Sequence, residues 1–245
     1  MNTIQMISVM LFSVVLSLGA SAKKKAETFD VYEYGTQRQG TTLTVTFEKG
    51  RFHNHPLFAV WLADEQGQFI ETLYVSESIG KGVFPRADRK KGAWMAGPIQ
   101  RPAALPYWAH QRGIINEFGT YNPTPAKPEV DGVTGATPGS HFVMRLTTTQ
   151  PLKGRYRLML ELNQSWDWNE FWYNDKFPND AEYKTSSQPA LVYQVVFDTA
   201  CPDKTYAFKP VGHSHYAGKD GSLTPDLSTL TTALRIAKSI TLQVP

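Results

Sequence analysis

"LFAVWLADEQGQFIETLYV", Leu57 to Val75, decides the fold. Two runs of aliphatic, β-branched and aromatic side chains flank a Glu-Gln-Gly turn, which predicts a β-hairpin. On its N-terminal side "TLTVTFE", Thr42 to Glu48, alternates apolar residues with threonines, the period of a strand with one buried face. On its C-terminal side, "HFVMRLTTT" (His141 to Thr149), "GRYRLMLELNQ" (Gly154 to Gln164), "LVYQVVFD" (Leu191 to Asp198) and "SITLQV" (Ser239 to Val244) read as further strands. Pro, Gly or Asp clusters bound each of them. About seven short strands separated by turns predict an all-β fold, an antiparallel immunoglobulin-like β-sandwich. Helix is expected only in the apolar N-terminal stretch and in a turn or two within "LSTLTTALRIAK", Leu227 to Lys238.

Composition agrees with a turn-rich globular protein. Apolar residues make up 41% and charged residues 19% of the 245, with 18 Gly and 16 Pro. A net charge of +3 with scattered Lys and Arg lacks the basic patch of a nucleic-acid binder, and that partner class is excluded. One cysteine, Cys201, allows no internal disulfide; beside Pro202 at a strand end it reads as a small buried filler, with a reactive thiol as the alternative.

At the N-terminus, "ISVMLFSVVLSLG" (Ile7 to Gly19) is too short to cross a bilayer comfortably and precedes the A-x-A pattern Ala20-Ser21-Ala22. A secretory signal peptide over 1–22 is expected, and with it a periplasmic or otherwise extracytoplasmic location and no transmembrane span in the mature chain. "MNTIQM" carries no Lys or Arg and Lys23 to Lys25 follow the cut, so an uncleaved anchor is the alternative. The expected organisation is an N-terminal extension over 23–40 and a single sandwich domain over 41–245. Between Lys81 and Val130 the chain is rich in Pro, Gly and aromatic residues without sustained periodicity. That predicts a long loop excursion packed on one face of the sandwich and forming one wall of a site.

The ordered series "FAVWLADEQGQFIETLYV", "LPYW", "DGVTGATPG", "LNQSWDWNEFWYNDKFPND", "SSQPALVYQVVFD" and "GHSHYAGKDGSLTPDLSTLTTALRIAKSITLQV" resembles a domain-of-unknown-function family of periplasmic proteins. That family is similar to the immunoglobulin-like domain of flagellar hook-capping proteins. The resemblance spans about Thr41 to Val244; it implies export and a β-sandwich, and carries no activity.

A second resemblance lies in "DGVTGAT". Asp131, Thr134, Gly135, Ala136 and Thr137 match the D-x-x-[ST]-G-A-T pattern at which an exported flavin transferase links FMN through its phosphate to the final threonine. It implies Thr137 as acceptor, a covalent FMN, and a membrane redox partner. Gly135 and Ala136 would let the backbone approach a phosphodiester, and Asp131 would orient the loop or help the transferase's metal. Pro138 and Gly139 follow where flavin-bearing domains continue into a helix. Asp-Gly and Thr-Gly also mark ordinary turns, so a plain connection and an acceptor site are both open.

"SWDWNEFWYNDKF", Ser165 to Phe177, is dense in aromatic residues. Exposed, Trp166, Trp168, Trp172 and Tyr173 would form a platform for a sugar ring or an isoalloxazine; folded inward they would be a core corner, and alternation sends about half of such rings to the core. The pairs His53/His55 and His213/His215 would each point to one face of a strand, but nothing supplies a third ligand, so no metal site is assigned. G-x-S-x-G, H-E-x-x-H and phosphate-loop patterns are missing, and the carboxylate pairs Asp64/Glu65 and Asp167/Glu170 have no readable separation. The function expected is that of an exported, non-catalytic binding or accessory protein with a cell-envelope partner. The alternative is an electron carrier bearing FMN on Thr137.

Overall fold

A computed structural model describes residues 28–90 and 93–245. The expected signal peptide, and the start of the expected extension, lie outside the described residues. The chain forms an all-β sandwich of two large sheets. Strands β1 (Asp30–Tyr34), β2 (Thr42–Lys49), β3 (Leu57–Ala63) and β4 (Phe69–Ser76) lead into a one-turn helix α1 (Glu77–Lys81). The hairpin strands β5 (Val83–Lys90) and β6 (Ala93–Pro98), the short helix α2 (Pro106–Gln111) and the two-residue strand β7 (Thr134–Gly135) follow. After them come β8 (Phe142–Thr147), β9 (Arg155–Asn163), helix α3 (Ala181–Ser186) and β10 (Leu191–Asp198). The chain closes with β11 (Thr205–Ala207), β12 (Lys209–Ser214), β13 (Leu223–Thr224) and β14 (Ala237–Gln243).

One sheet has the order β1-β8-β2-β14-β11 and the other β13-β12-β10-β9-β3-β4-β7, with β5 and β6 paired apart from both. Pairing is antiparallel except at two places: β1 runs parallel to β8, and β7 parallel to β4. Because β1 is a sheet member, the sandwich takes in residues ahead of Thr41, the boundary expected from the sequence.

The two sheets bury their faces differently, and the sequence shows why. In β2 the alternate residues Leu43, Val45 and Phe47 are fully buried while the threonines between them are not, as a one-sided strand requires. They pack with Phe142, Met144 and Leu146 against Phe58, Val60, Leu62, Leu158, Leu160 and Leu162 of the opposite sheet. Strand β3, "LFAVWLA", instead carries an almost unbroken apolar run, and its other face is buried too: Ala59, Trp61 and Ala63 join Met159 and Val192 in a second core.

What covers that face is the excursion. It is expected as an irregular loop; the structure corrects this, because it holds the β5–β6 hairpin and α2, whose Leu105, Trp108 and Ala109 are buried on Trp61 and Met159. A hairpin with register shifts and a helix of under two turns leave no lasting period in the sequence. Trp108 Nε1 donates to Thr72 Oγ1 at 3.2 Å, and the Arg112 guanidinium lies over the Trp108 ring and pairs with Glu129. Cys201 is a second correction: it sits exposed in the turn after β10, not in the core, because that turn leads out of the sheet.

The anchor beneath α2 is Glu161 in the centre of β9. Its carboxyl is fully buried and accepts from the backbone N–H of Tyr107 at 3.1 Å and of Trp108 at 2.8 Å. These donors belong to the first turn of the helix, where no intrahelical acceptor exists. Burial pushes the Glu161 carboxyl up to about 8, against the lowering effect of those bonds.

Replacing Glu161 by Ala leaves two buried N–H groups without acceptors and is expected to cost about 3 kcal/mol, measured by denaturant unfolding. In the folded protein the carboxyl holds a proton that the unfolded chain releases above about pH 4.5, so its contribution to stability falls as pH rises from there through about 8. Glu161→Gln is expected to flatten that slope.

Candidate functional site

The sequence picks out two stretches, and the structure places both at the margins of the seven-stranded sheet. Asp131 to Val133 form a single 3-10 turn, and Thr134 and Gly135 extend the sheet beside Val75 and Ser76. Asp131 is exposed and pairs with Lys81 at the end of α1; Ala136 is exposed and Thr137 half-buried. The Thr137 hydroxyl donates to Ser76 Oγ at 3.2 Å, and Ser76 Oγ in turn accepts from the Phe58 N–H. Thr134 is partly covered and its hydroxyl donates to the Asp131 carbonyl at 3.3 Å.

Gly135 is required for a packing reason. A Cβ there would overlap the Tyr34 hydroxyl, because the Tyr34 ring lies directly on the glycine. Tyr34 stacks at a tilt on Tyr74, whose hydroxyl donates to the carbonyl of Ala136 at 3.1 Å. Burial pushes the Tyr34 phenol up to about 12 and raises Tyr74 as well, so both phenols stay protonated.

The aromatic stretch is a loop pinned from below. Asp167 Oδ2 accepts from Gln188 Nε2, the Thr232 hydroxyl donates to the Asp167 carbonyl, and Asn169 Nδ2 donates to the Thr229 carbonyl. With Asp167 and Asn169 turned inward, Trp166 and Trp168 stand half in solvent, as does Tyr173. Trp172 departs from the platform expected of it: its ring is buried among Tyr183, Tyr216 and His213, and its Nε1 donates to Thr229 Oγ1 at 3.0 Å. An irregular loop does not hold strict alternation, so one of the four rings goes to the core.

Trp166 is the unusual member. Its φ is 62°, the left-handed region that a bulky side chain enters at a cost of about 1–3 kcal/mol. The conformation turns both of its N–H groups onto α3: the backbone N–H donates to the Ser186 carbonyl at 2.7 Å and Nε1 to the Lys184 carbonyl at 3.1 Å. These carbonyls belong to the last turn of α3 and have no intrahelical donor. Arg101, lowered in pKa by burial, holds its guanidinium 5.8 Å from the Trp166 ring centre and 4.4 Å from that of Phe84.

Next to Arg101 and α3 lies a cavity of about 260 Å³. Its walls include His110 and Tyr121 from the excursion, Glu182 from α3, and Gly218 and Lys219 from the loop after β12. Gly218, at φ 67°, brings that loop against the Pro102 carbonyl, where a Cβ would overlap. Glu182 Oε2 is closed off from solvent with no hydrogen-bond partner, and burial together with Asp180 raises its carboxyl. The sequence does not single out Glu182, His110, Tyr121 or Arg101. Their only signal is position, beside the excursion and the aromatic stretch that are singled out.

The histidine pairs do not form the strand faces expected of them. His53 and His55 lie in a turn, and His215 falls beyond the end of β12. Burial beside Lys49 lowers His53 to about 4 and leaves its Nε2 without a partner. Among the described residues, no three His, Cys, Asp or Glu side chains converge on a metal-sized space, and no helix is long and apolar enough to cross a membrane. Comparison with protein-family models, curated proteins and solved structures returns no match for the chain.

The two tryptophans are expected to respond oppositely to truncation. Trp172→Ala should cost about 3–5 kcal/mol as a large core deletion. Trp166→Gly loses the indole bond but relieves the backbone, and should change stability by no more than about 1 kcal/mol. Thermal unfolding of the two variants checks both.

Proposed function

We propose that this chain is an extracytoplasmic, non-catalytic binding module whose ligand face is built around Trp166. The observation that carries this is a half-exposed indole on a strained backbone, bonded to α3 and lying over the Arg101 guanidinium, where α3 and the residue after Arg101 line a cavity of about 260 Å³. Strain of this kind persists where the surroundings over-determine it, and it collects at ligand-binding positions. A non-catalytic role is supported by what two carboxyls raised by burial do. Glu161 caps α2 and Asp167 pins the aromatic loop, so burial raises both in the service of structure. The extracytoplasmic location rests on the apolar N-terminal run with its A-x-A pattern. The immunoglobulin-like character and the kinship with hook-capping domains rest on the motif series.

Hydroxyl-radical footprinting read by mass spectrometry tests the ligand face independently of ligand chemistry. Adding the small-molecule fraction of a cell-envelope extract should lower oxidation of Trp166 several-fold and leave Trp172 unchanged. Equal oxidation with and without the extract would remove the proposal.

The Asp131 to Thr137 segment supports a second function, an electron carrier with FMN esterified to the Thr137 hydroxyl and a membrane redox partner. Exposure of Asp131 and Ala136 at the sheet margin, where a transferase has access, favours it. In a host that exports the protein together with a flavin transferase, the intact mass should exceed that of the sequence by one FMN residue, and Thr137→Ala should abolish the increment. An unmodified wild-type mass under those conditions sinks this function.

A further inference from the structure

A guanidinium drawn partly out of water needs acceptors for its N–H groups, and Arg101 has none. Arg112 shows the contrast. It lies over the Trp108 ring, as Arg101 lies over those of Phe84 and Trp166, and burial lowers both. Arg112 meets that cost with the Glu129 carboxylate and the Tyr121 carbonyl. The part-buried Arg38 pairs with Glu71, and Arg157 donates to the Glu65 carbonyl. Among the described residues no oxygen accepts from the Arg101 guanidinium, and burial is the one cause of its lowering, so no carboxylate compensates it. Arg51 and Arg235 also lack an acceptor, but they are exposed and water serves them.

The Arg101 nitrogens are open to a ligand. Among the described residues, the sealed side-chain atoms without partners belong to His53, Glu182 and Gln188. Trp166 stands half in solvent with its Nε1 spent on the Lys184 carbonyl, so what it offers beside the guanidinium is an apolar face. One guanidinium matches one negative charge and presents a planar fork that a carboxylate meets with two parallel bonds. A phosphate monoester brings close to two charges, and no second cation acts on Arg101 to share them.

We infer that Arg101 is a carboxylate-binding residue of the ligand face: its guanidinium takes the carboxylate of a small aromatic acid whose ring stacks on Trp166. The inference rests on the binding function proposed above and names its ligand class.

NMR titration of the whole protein with benzoate, phenylacetate and indole-3-acetate, read at the Arg101 Nε–H and Trp166 Nε1–H signals, tests it. The corresponding amides and phenyl phosphate are the comparison probes. At least one acid should shift both signals saturably, and its amide should bind about tenfold or more weakly. Arg101→Gln should cost the acid a similar factor, as loss of a hydrogen bond to a charged group implies. Arg101→Lys, which keeps the charge and loses the fork, should fall between. A merely structural role predicts a lower Tm for Arg101→Gln and an Arg101 signal that no acid moves. No shift from any acid, equal affinity for acid and amide, a response to phenyl phosphate alone, or wild-type affinity in Arg101→Gln would each overturn the carboxylate site. The comparison of acid with amide is made on the wild type, so it decides even where a variant fails to fold. The footprinting result is separate. Protection of Trp166 without acid binding removes the carboxylate site alone, whereas acid binding lost in Arg101→Gln but intact in Trp166→Ala keeps that site and removes Trp166 from the ligand face.

Discussion

A carboxyl removed from water in the middle of a central strand has to find donors, and Glu161 finds them in the first turn of α2. Each side solves the other's difficulty. The helix start offers N–H groups with no acceptor of their own, and the strand offers an acceptor with no water. The magnitudes favour the pairing: each hydrogen bond to the neutral carboxyl is worth about 0.5–1.5 kcal/mol net, while a buried N–H left unpaired costs about 1–3 kcal/mol. Once α2 is fixed there, Trp108 and Leu105 must lie on Trp61 and Met159, and the seven-stranded sheet becomes buried on both faces.

The position of the cavity follows from that anchor. His110 is in the same helix as Tyr107 and Trp108, so the bonds that hold α2 to β9 also set the height of one cavity wall above the sheet. The opposite wall is α3, whose last-turn carbonyls are held by Trp166. The third side, around Gly218, is pressed onto the excursion at Pro102. Three segments distant in sequence thus meet at one edge of the sandwich, each with its own hydrogen-bonded reason to be there. The Asp131 to Thr137 segment sits elsewhere, with Tyr34 on Gly135 and the Tyr74 hydroxyl bonded to the Ala136 carbonyl.

Much of the sandwich was legible because alternation is strong in β2 and β8, and because β3, β4, β9 and β10 are apolar and β-branched runs of strand length bounded by turn residues. The short edge strands were not legible: β7 and β13 are two residues each, too brief to show a period. The excursion's helix was hidden for the same reason. Its burial was nonetheless announced in β3, since the unbroken run Leu57 to Ala63 makes sense only if both faces are covered. The same logic applies to Glu161. It alternates with Leu158, Leu160 and Leu162 and looks solvent-facing until the neighbouring β3 shows that its face is covered. Of the aromatic platform, the sequence revealed the rings but not their directions. Those depend on Asp167 and Asn169 finding Gln188, Thr229 and Thr232, contacts that span up to 65 residues.

The conformation of Trp166 has to be set against what it secures. Its backbone N–H caps α3, and a glycine would do so without strain. The indole adds one bond to the Lys184 carbonyl, worth about 1 kcal/mol net, against a backbone cost of about 1–3 kcal/mol. Stability alone therefore gives little reason for tryptophan at this position. Trp172, six residues on, shows the contrast: it is buried, fully bonded and needs no further account. What remains at 166 is a large apolar ring held rigid beside a guanidinium and half in solvent, and a rigid exposed ring gains most when a second ring stacks on it.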